Sequence, residues 1–430
     1  MAHDIKSREI SFLAIKKILD GGNTIEDAMA SYSGVISPED RGFIRFLLAT
    51  TVRRLGQLDK IINHCTKTKL GNTQMAVRHV LRLGITQLLF MDVPAYAAVD
   101  TSVTLVQGKV PKKLRYLKNT VNAVLRKIDR ERDMLLKKFG NTRLNFPPWL
   151  LKSWDDRYGQ ATVKSILDTT LREAPLDISL KSELDLDEWA ATLGGEKLES
   201  GAIRLHKPGK IVELPGYDDG CWWVQDAAAR LPAQFLGAKK GDRVLDLCAA
   251  PGGKAAQSAS IGALVTAVDF SESRLSILHQ NMARLKLNAD VVTSDVLLYN
   301  PKNGFDFIIL DAPCSSTGTI RRHPEILYSR SSEDVEKLAI LQGKLLDHAV
   351  TLLNKGGTMI YCVCSMEKEE GPDQIKALLE RQGSLKRKEI LKSELSGFDQ
   401  AILENGDVQT LPHYIDGGMD GFFISRLQKT

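Results

Sequence analysis

The chain has 430 residues, of which 43% are hydrophobic, and this is enough to build two or three globular domains. No apolar run approaches the ~18 residues that a membrane-spanning helix needs, and the segment from Met1 to Phe12 is charged, unlike a signal peptide. We therefore expect a cytosolic protein with no membrane partner. Its six cysteines are expected to be thiols: Cys65, Cys221, Cys248, Cys314, Cys362 and Cys364.

The net charge of +5 hides an asymmetry along the chain. Residues 1–144 contain 25 Lys and Arg against 13 Asp and Glu, a net +12, which leaves 33 against 40, a net −7, for residues 145–430. A basic excess of this size suggests a polyanionic partner, because cationic side chains that meet phosphates release counterions. The alternative is a solvated helical surface without a partner.

Residues 1–140 are predicted to be all-helical, because apolar residues recur at helical spacings throughout the segment. Turn signals separate the helices at Gly21-Gly22, Ser37-Pro38, Gly71-Asn72 and Pro94. A basic cluster precedes the last predicted helix and is open to two interpretations, phosphate contact or an exposed helix rim. Its members are Lys109, Lys112, Lys113, Arg115 and Lys118.

Two successive prolines, Pro147 and Pro148, indicate a domain boundary because they forbid the continuation of a helix. The segment that follows, 145–240, is predicted to be a small mixed α+β unit. We expect helices near 150–157, 161–169 and 187–193 and a strand at 176–180.

Residues 241–430 alternate apolar strands with amphipathic helices, which predicts a parallel sheet covered by helices on both faces. One helix, 331–353, begins with the capping-box spacing of Ser331 and Asp334 and is expected to end at Gly356-Gly357. The alternating segment near the C-terminus, 420–427, is predicted to be an edge strand. The other expected elements are a strand that begins at Val244, strands at 263–269, 290–295, 305–313 and 358–365, and a helix at 271–287.

The edge at which these parallel strands end is the expected ligand site. After the first strand, Gly252 and Gly253 permit a close backbone approach at a helix N-terminus, which suits a nucleotide-like ligand, although a plain strand–helix connection is equally typical. Asp269 ends the next strand 23 residues after Asp246, close to the offset at which a carboxylate meets a ribose. Asp295 ends the third, and strand-end capping is the alternative for both acids.

These motifs resemble, in the same order, those of bacterial RNA (cytosine-5) methyltransferases, in particular the small-subunit ribosomal RNA enzymes of the RsmB (Sun) type. The resemblance covers nearly the whole chain, and the segments 81–90 and 121–127 resemble the RNA-binding helical domain of the antitermination factor NusB. The motifs are DLCAAPGGK at 246–254, Asp269, Asp295, DAPCSSTG at 311–318, and Cys364-Ser365.

The resemblance implies a multidomain fold. A NusB-like all-α RNA-binding domain is expected at 1–144, a small RRM-like α+β segment at 145–240, and a Rossmann-like class I α/β methyltransferase domain at 241–430. The sequence departs from the family at Asp177–Lys181, where members usually show a Leu-Arg-x-Asn strand, and at Val363, where they have threonine.

S-adenosylmethionine is the implied cofactor and small-subunit (16S) ribosomal RNA the implied partner, and we expect a monomer without a metal. The motif at 224–229 is implied to shape the cofactor side of the pocket, with a helix start capped by Asp226 as the alternative. The implied cofactor-binding residues are Cys248, Ala249, Ala250, Pro251, Gly252, Gly253, Lys254, Asp269, Arg274, Asp295 and Asp311.

Two cysteines are the candidates for chemistry, because carbon-5 of cytosine becomes nucleophilic only after a thiolate adds to carbon-6. Cys314 and Cys364 follow adjacent predicted strands and should face one crevice. By the resemblance, Cys364 is the nucleophile, and Cys314 assists removal of the carbon-5 proton and release of the enzyme. Asp311 is expected to hydrogen-bond the cytosine edge, with Lys254 supplying a cation beside it.

Four alternatives remain at this point. A zinc site of Cys248, Cys314, Cys362 and Cys364 would be unusual, because structural zinc sites normally use two CxxC-like knuckles. A transfer RNA substrate is compatible with the basic N-terminal segment. A DNA cytosine methyltransferase would use Cys314 as its nucleophile and lack Cys364-Ser365. A non-catalytic RNA-binding protein would have no need for the thiol pair.

Overall fold

The structure is a computed structural model that describes residues 2–206, 208–395 and 397–430. Contacts divide the chain into two compact units. One contains residues 1–173 together with 320–329, and the other contains 174–319 and 330–430. Within the described residues, no helix combines the length and the apolar character that crossing a membrane requires.

The first unit is helical, as the periodicity predicts. Its helices pack around one apolar core, in which helix α5, Met75–Phe90, is buried on nearly all sides. A Cβ at Gly84 would come within 2.7 Å of Ser102 Oγ, so α5 and the next helix, α6 (Ala95–Gly108), approach closely at this glycine. The helices are α1 Ala2–Gly21, α2 Ile25–Ala30, α3 Pro38–Arg53, α4 Leu55–Cys65, α5 Met75–Phe90, α6 Ala95–Gly108, α7 Lys118–Arg130, α8 Arg132–Lys138 and α9 Pro148–Thr170. Gly159, at φ +75°, interrupts α9 between its two predicted halves.

A distant segment, 320–329, completes this helical unit and contains the short helix α14, Ile326–Ser329. Arg53 Nη2 donates to the Arg321 carbonyl at 3.0 Å, and the Ile25 amide donates to Glu325 Oε1 at 3.3 Å. Nothing in the periodicity of the sequence indicates this association, because it depends on contacts between residues far apart in the chain.

The second unit begins with the strands of the predicted α+β segment, whose first helix, α9, belongs to the first unit. Its antiparallel sheet has the order β2-β3-β1-β4. Arg204 and Asp177 form a fully buried bidentate ion pair with distances of 2.8 Å, so the Asp177 side chain faces the interior. The elements are β1 Leu176–Leu180, α10 Leu186–Leu193, β2 Glu196–Lys197, β3 Ile203–Leu205 and β4 Trp222–Val224.

The main sheet has eight strands, seven of them in the order β10-β12-β9-β8-β5-β6-β7, with β11 paired to β12. Strands β5 to β9 are parallel, and β12 runs antiparallel to β9. The elements are α11 Leu231–Leu236, β5 Arg243–Leu247, α12 Gly253–Ser260, β6 Leu264–Asp269, α13 Glu272–Leu285, β7 Asp290–Thr293, β8 Phe305–Asp311, α15 Ser332–Leu352, β9 Leu353–Val363, α16 Pro372–Arg381, β10 Leu385–Arg387, β11 Val408–Thr410 and β12 Phe422–Lys429.

Helices cover both faces of this sheet, as predicted. Successive strand residues belong to different apolar clusters: Val244 packs with α11, α12 and α13, whereas Leu245 packs with α15 and α16. The parallel strands therefore end at one common edge, beyond which the motif residues lie.

Two local predictions are wrong. Helix α15 ends at Leu352 rather than at Gly356-Gly357, because β9 begins at once and these glycines lie where the β8–β9 register shifts. Strand β12 is not an edge strand, since it pairs with β9, β10 and β11. Its alternation reflects two different buried faces.

The predicted capping box is present, with Asp334 N 3.4 Å from Ser331 Oγ and Ser331 N 2.9 Å from Asp334 Oδ2.

Candidate active site and cofactor pocket

Cys314 and Cys364 lie just beyond the ends of the adjacent strands β8 and β9. Their Sγ atoms are 3.4 Å apart. The Gly318 amide donates to the Cys364 carbonyl at 3.0 Å, which holds one cysteine loop against the other. The structure therefore brings the two predicted cysteines together.

The two thiols are not equivalent. The hydrogen bond from Cys314 lowers the pKa of Cys364 in spite of the opposing effect of burial, and Ser316 Oγ, 3.5 Å from Cys364 Sγ, contributes in the same direction. The hydrogen bond to Cys364, together with burial, raises the pKa of Cys314 well above its usual value. Cys364 is therefore the favoured thiolate of the pair.

An ion pair stands beside the thiols. Lys254 Nζ lies 2.6 Å from Asp311 Oδ2, and Cys362 Sγ lies 3.6 Å from Asp311 Oδ1. Burial alone would lower the pKa of Lys254, but the Asp311 carboxylate raises it, so this lysine is a cation. The predicted pairing of Lys254 with Asp311 is observed.

Asp246 is a member of this group that the sequence analysis did not assign to the site. It is buried, and among the described residues no side chain donates a hydrogen bond to its carboxylate. Burial raises its pKa to about 7, although the Lys254 charge opposes the shift. Its place near the end of β5, beside the edge at which the other motif residues lie, was the signal that could have identified it.

The loop after β5 is built for a close backbone approach. Gly252 has φ +100°, and a Cβ there would come within 2.8 Å of Leu278 Cγ, so glycine alone fits. Arg274 Nη2 donates to the Ala250 carbonyl, which ties α13 to the loop. The remaining predicted loop residues are Cys248, which has φ +62°, Ala249, Pro251 and Gly253.

Asp269 and Asp295 both cap backbone amides. Asp269 is buried and accepts from Ala250 N at 3.2 Å and from Ser271 N at 3.0 Å. Asp295 is exposed and accepts from Leu297 N at 2.9 Å. The strand-end capping expected as an alternative is thus real, and a carboxylate that caps still has lone pairs for a ligand.

Three more features of the site went unrecognised in the sequence. Phe270 and Leu298 are exposed large apolar residues close after Asp269 and Asp295. Glu370 is fully buried beside the cysteine loops, yet it stands in a charged segment, Glu367–Glu370, whose composition is typical of a solvated turn. Composition alone does not distinguish the buried Glu367 and Glu370 from the exposed Lys368.

The described residues do not bring the four cysteines within reach of one shared ion. Within the described ranges, the one group of His, Cys, Asp or Glu side chains close enough to share an ion is Glu26, His323 and Glu325, in the helical unit. Zinc binding by the four cysteines is therefore not supported.

Known proteins are similar to this chain in sequence and in fold. A family model for 16S rRNA methyltransferase RsmB/F matches residues 233–428, and a NusB family model matches residues 5–130. Ribosomal RNA small subunit methyltransferase B of Serratia proteamaculans is 34% identical over 100% of both chains. The protein of the same name from Shigella sonnei is 33% identical over 98% of both. The chain belongs to the RsmB/F family of 16S rRNA methyltransferases.

A solved structure has a similar fold over nearly the whole chain. That of PH0851 superposes with a TM-score of 0.77 at 22% identity and covers 98% of this chain and 99% of its own. Family membership makes S-adenosylmethionine the methyl donor. The pocket fits this cofactor, because the glycine-only turn at Gly252 leaves the strand edge open and the adjoining Asp269 is a buried acceptor.

Proposed function

We propose that the protein methylates carbon-5 of a cytosine in small-subunit (16S) ribosomal RNA through a covalent intermediate between RNA and Cys364. The observation that carries the proposal is the 3.4 Å contact between the Cys314 and Cys364 sulfurs, with Cys364 as the favoured thiolate. The names of the relatives supply the substrate class. Cytosine is favoured because its carbon-5 needs the help of a nucleophilic thiolate.

The cofactor pocket lies on the β5–β6–β7 side of the site. S-adenosylmethionine, when bound, supplies an electrophilic methyl group. Asp269 would accept hydrogen bonds from its ribose, and Asp295 would bind the adenine amine. Exposed Phe270 and Leu298 would offer apolar surface to the adenine ring. The loop residues 248–254 and Arg274, which holds the loop, would complete the pocket.

Cys364 acts first on the RNA. Its thiolate adds to carbon-6 of cytosine and forms a carbon–sulfur bond, and the electron pair of the 5,6 double bond moves to carbon-5. Charge also develops on the ring, where Asp311 and the neighbouring Lys254 form a hydrogen-bonding and charged edge. Carbon-5 is then nucleophilic enough to take the methyl group.

Cys314 acts second. While Cys364 is a thiolate, the hydrogen bond to it raises the pKa of Cys314, together with burial and the Cys364 charge. Bonding of Cys364 to RNA removes that hydrogen bond and that charge, so the pKa of Cys314 falls and its proton can be lost to solvent. The Cys314 thiolate then takes the proton from carbon-5. The 5,6 double bond re-forms, the carbon–sulfur bond breaks, and Cys364 leaves as a thiolate. The pair again holds one proton, and one proton has been released overall.

We assign RNA binding to the basic helical segment 1–144. In this proposal the segment is the first of three domains, whose boundaries lie at 144 and 240. It carries a net charge of +12, and in its basic cluster Lys109, Lys112 and Lys113 are exposed. Exposed cations of this density suit a phosphate backbone.

Bisulfite sequencing of ribosomal and transfer RNA tests the substrate. RNA from cells that lack the gene should lose one 5-methylcytosine signal in 16S RNA, and the purified wild-type protein should restore it. Loss of a transfer RNA signal instead would contradict the substrate class, and no loss in either would contradict cytosine-5 methylation.

A further inference from the structure

A buried carboxylate joins the two cysteine loops. Glu370 lies between β9 and α16 and is fully buried, and the hydroxyl of Tyr361 in β9 donates to its carbonyl at 2.7 Å. Its Oε1 accepts from Ser315 N at 2.8 Å and from Gln342 Nε2 at 3.0 Å. Its Oε2 accepts from Ser365 Oγ at 2.6 Å and from Ser315 Oγ.

The two serines that bind the Glu370 carboxylate are next to the two reactive cysteines in the sequence. Ser315 follows Cys314 directly, and Ser365 follows Cys364 directly. A single carboxylate oxygen therefore holds both loops, each one residue from a reactive sulfur. Ser315 Oγ and Ser365 Oγ are themselves 3.3 Å apart, close to the separation of the two sulfurs.

We propose that Glu370 is a positioning residue that sets the distance between the Cys314 and Cys364 sulfurs. The inference rests on the proposed function, because this distance matters most if one sulfur attacks the base and the other removes its proton. A tie between the loops keeps both sulfurs aligned on one base while bonds form and break.

Packing alone does not account for a carboxylate at this place. A buried acid is costly unless its oxygens are satisfied, and in the described part of the chain the four hydrogen bonds to Glu370 come from neutral groups. Three of the four come from the residues that follow the cysteines. The carboxylate is thus directed at the two loops rather than at a cation that it would neutralise.

The arrangement of donors predicts which substitution is tolerated. Oε1 faces N–H groups, which can only donate, whereas Oε2 faces hydroxyls, which can also accept. In Glu370→Gln the amide oxygen can replace Oε1, and the amide nitrogen can donate to the serine hydroxyls. The tie then survives without the charge, whereas Glu370→Ala removes it.

Phenylarsine oxide tests in the absence of RNA whether Glu370 keeps the two sulfurs close together. Trivalent arsenic binds two neighbouring thiols with loss of water. The full-length wild type should capture it in a form that a dithiol, but not a monothiol, reverses, and Cys314→Ala should abolish this capture. Glu370→Ala should weaken capture at least about tenfold, and Glu370→Gln should restore most of it. Ser365→Ala, which removes one link, should give a smaller loss in the same direction.

Thermal unfolding and calorimetry with S-adenosylmethionine establish that each variant is folded and binds the cofactor. In methylation assays, Glu370→Ala should lower kcat at an unchanged KM for the cofactor, with rescue by Glu370→Gln. A folded Glu370→Ala that captures the arsenical like the wild type would overturn the proposal. Equal impairment of Glu370→Gln and Glu370→Ala would also overturn it, since charge rather than the hydrogen-bonded tie would then matter.

Failure of the proposed function can be distinguished from failure of the Glu370 proposal. Wild-type protein that captures the arsenical in a Glu370-dependent way but forms no covalent adduct with RNA would contradict the covalent mechanism and leave the tie intact. If the wild type forms the adduct and Glu370→Ala captures the arsenical as well as the wild type does, only the positioning role of Glu370 is contradicted.

Discussion

Cys314 and Cys364 are 50 positions apart in the chain, yet their sulfurs lie 3.4 Å from each other. The strand order explains this contact, because β8 and β9 are parallel neighbours and both strands end at the same edge of the sheet. The Gly318 amide and the Glu370 carboxylate then draw the two loops together beyond the sheet. The pair is thus a product of topology first and of loop contacts second.

Gly318 sits where the two loops touch, and we expect it to tolerate no side chain. A Cβ there would stand 1.8 Å from the Gly421 carbonyl oxygen, so Gly318→Ala must displace backbone and should cost about 3 kcal/mol of unfolding free energy. Urea unfolding measures this. Gly383→Ala is the matched control, because its new Cβ meets nothing within 4 Å, and it should change stability by less than about 1 kcal/mol. Equal effects of the two substitutions would contradict the close contact.

Lys254 neutralises Asp311, and we expect its loss to be severe. Lys254→Met leaves the Asp311 carboxylate without its cation, which should cost about 3–5 kcal/mol near neutral pH. Adding Asp246→Asn should change this loss little, because without the Lys254 charge Asp246 keeps its proton near neutral pH. Lys164→Met, in the exposed pair with Asp168, is the control and should cost less than about 1 kcal/mol. A Lys254→Met loss as small as this control would contradict the assigned role.

The raised pKa of Asp246 predicts a pH dependence of stability. The folded protein holds this proton up to about pH 7, whereas an unfolded aspartate loses it near pH ~3.9. Between these values the native state binds more protons than the unfolded state, so the free energy of unfolding should fall as pH rises through this window. The three-unit difference corresponds to at most about 4 kcal/mol. Asp246→Asn should remove this slope in urea titrations from pH 4 to 8, and parallel curves for the two proteins would contradict the shift.

Sequence periodicity anticipated the helical unit, the five parallel strands and the cysteine pair, because each depends on local pattern and on the common edge of a parallel sheet. Periodicity did not predict features that depend on contacts with other parts of the fold. The alternation of β12 is typical of an edge strand, but β12 pairs with β9 and β10, and its two faces pack into different apolar clusters. Glu370 stands in a charged segment that is typical of a solvated turn, and the packing of α15 and the two cysteine loops around it makes it a buried acceptor.

The basic cluster on the helical unit should contribute to the salt dependence of RNA binding. Replacing Lys109, Lys112 and Lys113 by alanine removes up to three phosphate contacts, and the slope of log K against log salt should become shallower by roughly two units. Filter binding at several salt concentrations measures the slope. Replacing Lys355, Lys376 and Lys386, which are also exposed, changes the net charge equally and should leave the slope nearly intact. Equal slopes in the two triple variants would mean that the cluster does not contact RNA.

The two cysteines should fail in different ways. Cys364→Ala removes the thiolate that activates carbon-5, so methylation and the covalent RNA adduct should both disappear. Cys314→Ala keeps the nucleophile but removes the base that takes the carbon-5 proton. Attack and methyl transfer then outrun release, and protein should accumulate on RNA as a slower band in a denaturing gel.

Cys65→Ala is the matched control, since Cys65 is a buried thiol in the helical unit, and it should form and release the adduct like the wild type. Trapping by Cys364→Ala with no adduct from Cys314→Ala would reverse the two roles. Because the hydrogen bond from Cys314 lowers the pKa of Cys364, Cys314→Ala should also shift alkylation of Cys364 to higher pH. An unshifted alkylation profile would show that the 3.4 Å contact does not tune the nucleophile.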